Sequence, residues 1–75
     1  MNKIKITGEA PFSVLAHSFS VYCPDSFTLN YSADGEHFTA YDEATPAGET
    51  LIVNGVAKGM YFFLDGNTDD AIITY

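Results

Sequence analysis

Few residue groups in this chain are equipped for chemistry, and each can be weighed by its spacing. Asp65, Asn67 and Asp69 stand at alternate positions, as in the D-x-N-x-D opening of an EF-hand-like calcium loop. The pattern then breaks. Its sixth position is Asp70 rather than glycine, and the glutamate wanted at the twelfth would fall beyond Tyr75. Asp65, Asn67, Asp69 and Asp70 are therefore weak metal candidates, and an acidic turn between two strands is the better reading. Cys23 with His17 or His37 offers a nucleophile and a base. No orienting residue or oxyanion donor follows at recognisable spacing, and Cys23 falls at an apolar position, which marks a buried structural thiol. The same three residues would hold zinc only across subunits. Asp42-Glu43 and Asp69-Asp70 are carboxylate pairs. Neighbours on an extended chain point to opposite faces, so neither pair brackets a substrate. The expectation is a protein without catalytic residues and without a resident cofactor.

Binding by aromatic side chains is the remaining option. Five tyrosines and six phenylalanines supply large contact areas. Alternation puts Tyr31 with Phe27 and Leu29, in the core. Tyr22 falls opposite Val21 and Cys23, and Tyr41 is out of step with Phe38 and Ala40, so these two are expected on an exposed aromatic surface. Tyr61 is placed either in the packing or in a tyrosine-corner hydrogen bond to backbone near Gly55. Asn30-Tyr31-Ser32 is a formal glycosylation sequon, but the chain opens on alternating residues rather than a secretion signal.

Strands must position these side chains, because almost every segment has a period of two. Ile4 and Ile6 alternate with Lys3, Lys5 and Thr7 up to Gly8. Phe12, Val14 and Ala16 are apolar at even positions, whereas Phe19, Val21 and Cys23 are apolar at odd ones. The parity flip near His17-Ser18 calls for a bulge or corner. Phe27, Leu29 and Tyr31 form a half-buried strand. Asp34-Gly35 predicts a tight reversal into a partner strand over His37 to Tyr41. Asp42 through Glu49 reads as a solvated loop, Leu51-Ile52-Val53 as a strand, and Asn54-Gly55 as a turn. Met60 to Leu64 is apolar on both faces, as in a central strand. Ala71 to Tyr75 is a final strand. No segment offers a capped amphipathic helix. The predicted fold is all-β, a single antiparallel sandwich or barrel of six or seven strands over residues 1–75.

Composition narrows the partners. Three lysines, no arginine and ten carboxylates give a net charge of -7. That deficit of cations speaks against nucleic acid, whose binding needs counterion release, and against anionic lipid. With 47% hydrophobic and 17% charged residues the chain is too apolar for disorder, yet no apolar run is long enough for a membrane span. Its one cysteine excludes an internal disulfide. A chain this short, without covalent or metal staples, is expected to complete its core against other subunits.

Two segments resemble known β-proteins. Tyr31-Ser32-Ala33-Asp34-Gly35-Glu36-His37-Phe38 resembles the S-x-D-G-x-x-aromatic hairpin of discoidin-type β-sandwiches. Ala57-Lys58-Gly59-Met60-Tyr61-Phe62-Phe63-Leu64 resembles a late strand of the same family, and the corner before a late strand of fibronectin type III domains. Lys58 stands where the discoidin pattern usually has arginine, and the chain is about half that domain's length, so the resemblance implies architecture alone. The Asp34-Gly35 hairpin, the Glu43-Ala44-Thr45-Pro46-Ala47-Gly48 loop and the Lys58-Gly59-Met60-Tyr61-Phe62 strand also look like accessory proteins that decorate bacteriophage capsids or build their fibres. That second resemblance implies a virion protein bound to capsid or other assembly subunits, lattice-bound or as a homo-oligomer. The expected interface lies on the terminal strands, around Ile4, Ile6, Ile72 and Tyr75, because terminal strands often lie at sheet edges. The competing expectation is a carbohydrate-binding or adhesive module using Tyr22, Tyr41 and the acidic loops, with calcium assisting at Asp65 to Asp70.

Overall fold

The computed structural model describes residues 2–75, and none of them is helical. Eight strands form: β1 (Lys3–Thr7), β2 (Phe12–Ser13), β3 (Ser18–Tyr22), β4 (Thr28–Ser32), β5 (Thr39–Ala40), β6 (Thr50–Asn54), β7 (Tyr61–Asp65) and β8 (Asp70–Thr74). The count exceeds the six or seven expected because β2 and β5, at two residues each, still pair as strands. All pairings are antiparallel. Sheet A has the order β1-β8-β3-β6 and sheet B the order β2-β7-β4-β5. This order, with four strands in each layer, is that of a jelly roll.

Every connection except β4 to β5 passes from one sheet to the other. The parity flip at His17-Ser18 is one such passage. Phe12 and Val14 face the core from sheet B, and Phe19 and Val21 face it from sheet A, so the chain turns over between them. Asn54-Gly55 is another. Gly55 takes φ +74, a left-handed turn suited to glycine, but the chain then leaves for sheet B instead of folding back on β6. Asp34-Gly35 does lie in the one hairpin, although the reversal is longer than a two-residue turn: Tyr31 pairs with Thr39 across residues 32–38.

Phe62 sits at the centre, its ring 5.0 Å from Phe19 and 5.8 Å from Phe12 by centroids. Val21, Cys23, Val53, Leu64, Ala71 and Ile73 are fully buried around it. The accessible surface of 4301 Å² is close to the roughly 4,500 Å² of a folded monomer of this mass. The interior thus closes within one chain, and the case for docking has to rest on the surface. The strand order also distinguishes the two terminal strands, both of which were expected to lie at sheet edges. β1 is an edge strand, but β8 is an inner strand paired on both sides with β1 and β3.

Candidate functional site

The residues singled out for chemistry are held apart and engaged elsewhere. The Cys23 Sγ–H donates to Asn67 Oδ1 at 3.1 Å, and burial pushes the thiol up from its ordinary pKa. His17 Nδ1 lies 2.8 Å from the Val56 carbonyl, which makes that nitrogen the protonated donor. His37 Nδ1 lies 2.7 Å from Asp34 Oδ2. Neither imidazole is bonded to the thiol.

Asn67 is buried, which the calcium reading did not anticipate. Its Oδ1 accepts from Cys23 and from the Asp69 N–H, and its Nδ2 donates to the Gly8 carbonyl at 2.9 Å. Asp69 Oδ1 accepts from the Asp70 N–H, and Asp70 Oδ1 accepts from the Thr7 hydroxyl. Three of the four side chains are thus engaged by the protein, at the loop itself and at Cys23 and Thr7 beside it. Among the described residues no three of His, Cys, Asp or Glu gather into a metal-holding group. Asn67, Asp69 and Asp70 thus form a turn held together around a buried amide.

The aromatic surface is also rearranged. Tyr41 is half-buried against the core, with its ring edge-on to Tyr31 at 6.4 Å. Its hydroxyl donates to the Asn54 carbonyl and accepts from the Asn54 N–H, both at 3.3 Å. A bond of the kind offered as one alternative for Tyr61 is made instead by Tyr41, one residue short of Gly55, and it caps the outer edge of β6 at Asn54. Alternation missed this because Tyr41 lies just past β5, where the period of two has lapsed.

The outer faces of the two sheets differ. On sheet B the hairpin loop folds back over the strands. Ser32 Oγ accepts from the Asp34 and Gly35 N–H groups and donates to Asp34 Oδ1. Asp34 further accepts from the Glu36 and His37 N–H groups and from His37 Nδ1, bonds that hold its carboxyl well below the usual aspartate range. So fixed, the loop lays Gly35 against the Tyr61 ring, where a β-carbon would stand 3.4 Å away. It also sets Phe38 edge-on over Phe63 at 4.9 Å. The S-x-D-G-x-x-aromatic pattern is thereby accounted for as a self-contained lid.

Sheet A has no such lid. Two rows cross all four of its strands on the outward side. Lys5, Ile72, Tyr22 and Thr50 form the first, and Lys3, Thr74, Ser20 and Ile52 the second. Ile52 is 60% exposed and Tyr22 45%. Beside them a shallow depression of about 250 Å³ is lined by Ser18, Ser20, Ile52, Asn54, Thr74 and Tyr75. Of the expected interface residues, Ile72 and Tyr22 belong to this side, whereas Ile4, Ile6 and Tyr75 pack half-buried against the core, Tyr75 also bordering the depression. The face carries Lys3, Lys5 and Asp70, a local balance of +1 (two lysines less one aspartate) on a molecule of net charge -7. No protein-family model, characterised protein or solved structure matches the chain.

Proposed function

We propose that this protein is a non-enzymatic structural and interaction protein that docks on a larger protein assembly through the outer face of sheet A. The observation that carries the reading is the contrast between the two sheets: on sheet B a loop of the chain lies against Phe63 and one side of Tyr61, whereas on sheet A no loop lies over the exposed Tyr22 and Ile52 or the half-buried Ile72 beside Tyr22. Apolar side chains grouped on a low-charge patch are what a partner surface buries to advantage. The setting we assign is a virion, as a capsid-decorating accessory protein. Support comes from the resemblance noted in the sequence and from the jelly-roll order, an architecture common in capsid proteins; the latter is an argument by analogy of fold.

Sedimentation tests this reading. Tagged protein produced in its native source is expected to travel with large particles through a density gradient, while Ile52→Lys stays at the top. Wild-type protein that remains at the top under native conditions overturns the proposal.

The depression supports a second reading, a carbohydrate-binding module. Its lining includes the hydroxyl and amide residues Ser18, Ser20, Asn54 and Thr74 with Tyr75 at its border and no charged side chain, a combination suited to a neutral sugar. On this second reading a sugar would lie on sheet A, away from Tyr41 and the acidic loops. A glycan array read with and without chelator separates the two. Specific binding abolished by Ser20→Trp favours the module, and silence favours docking on protein.

A further inference from the structure

The free border of sheet A has a definite hydrogen-bonding character. Asn2 and Tyr75 exchange both backbone bonds, N to O at 2.6 Å and 2.9 Å. In an antiparallel ladder such pairs alternate with pairs that exchange none. The register runs unbroken from Lys3 opposite Thr74 to Thr7 opposite Asp70, so Ile4 and Ile6 bond to β8. Lys3, Lys5 and Thr7 then turn their N–H and C=O groups away from the sheet. Among the described residues nothing bonds to those groups. The other borders are shorter or partly capped: β2 and β5 have two residues each, and on β6 the Tyr41 hydroxyl occupies Asn54, leaving Ile52 and Thr50 open with no cation beside them.

We infer that this border of β1 receives an extended strand of the docking partner, one with carboxylates at alternate positions opposite Lys3 and Lys5 and apolar residues between them. The inference rests on the docking reading above and names how the partner engages. An added strand would satisfy up to three outward donors and three outward acceptors. Its residues opposite Lys3 and Lys5 would project on the outer face, beside the two amines. The residue between them would project inward, over Ile4 and Ile6, which are the half-buried rim of the core. Lys5 already stands 3.7 Å from Asp70 in an exposed pair, and Lys3 has no ion-pair partner among the described residues.

Charge decides against a second copy as the occupant. The two-fold register that engages all three residues puts Lys5 opposite Lys5, and a shift one way puts Lys3 opposite Lys5. Like charges directly opposed are unfavourable, and edge lysines are a common guard against self-pairing. Repulsion from the distant acidic loops is screened within about 8 Å at physiological ionic strength, so the adjacent lysines dominate.

The test uses the whole protein labelled with nitrogen-15 and a glycine-capped peptide of alternating glutamate and valine. Binding is expected to slow amide exchange at Lys3, Lys5 and Thr7, and to leave Ile4 and Ile6 as protected as before. A glutamine-valine peptide should bind about fivefold more weakly, the loss of two exposed ion pairs. The double variant Lys3→Glu/Lys5→Glu should prefer a lysine-valine peptide. Lys5→Pro removes an outward N–H and no bond to β8, so it should keep the fold and weaken the peptide. Failure of the glutamate peptide to bind, or binding without protection of the three amides, overturns the inference. The sedimentation experiment separates this from the docking reading. Wild-type protein that travels with particles while the peptide fails removes the edge and keeps the docking. Peptide capture by a protein that never sediments does the reverse.

Discussion

Both sheets present aromatic and aliphatic residues on their outward sides, but only on sheet B does a loop of the same chain lie over part of the face, on Phe63 and one side of Tyr61. The difference comes from one connection. Because β4 and β5 are the only consecutive strands in one sheet, the loop between them can lie down on that sheet, and Asp34 with Ser32 freezes it there. Sheet A receives only crossing connections, which leave it at its ends and cannot cover its middle. Bareness of sheet A is thus a product of topology, and its side chains are what selection can tune for a partner.

The sharpest way to break the comparison is to remove the roofed aromatic. Phe63→Ala, which deletes the ring under Phe38, should lower unfolding free energy by about 2–3 kcal/mol in urea denaturation, toward the lower end for an aromatic truncation because the site is half-buried. A cost below about 0.5 kcal/mol, the range of ordinary surface changes, would mean that the loop does not act as a roof.

A smaller effect, legible through pH, comes from Asp34. Its folded carboxyl is held below the ordinary aspartate value by the hydrogen bonds it accepts, from two N–H groups first. The stabilisation is therefore complete above about pH 4 and lost as pH falls below it. The gap in urea midpoint between wild type and Asp34→Asn should narrow from about pH 4 to about pH 2. A constant gap would show that the charge is not what fastens the loop.

The smallest effect is predicted for the open side. Ile52→Thr, on a side chain 60% exposed, should change stability by no more than about 0.5 kcal/mol while weakening retention on particles. If it costs as much as Phe63→Ala, the two faces do not differ in kind.

The alternation of Ile4 with Ile6, of Phe27 with Leu29 and of Ile73 with Ala71 was plain in the sequence, since a half-buried strand needs it. The flip at His17 was plain as well, although its meaning, a passage between layers, was not. Pairing partners were hidden because β1 meets β8 and β3 meets β6 across long stretches of chain, and no local pattern records register. The same holds for the site. Tyr22 and Ile72 could each be picked out, but only the ladder sets them side by side. Asn67 stood out only as a weak ligand candidate, an acidic turn being the better reading; that its amide is buried and bonded to Cys23 and Gly8 was not legible in the sequence.

The zigzag between layers also governs how the molecule comes together. Neither layer can be assembled from a contiguous stretch, since β1 must wait for β8, and β3 must wait for both β6 and β8. Loop-closure entropy is spent before most contacts repay it, so folding should be slow for so small a protein, in the millisecond-to-second range of non-local β topologies. On a ribosome β1 stays without its neighbour until β8 has emerged, leaving that part of the nascent chain to chaperones or chance in the meantime.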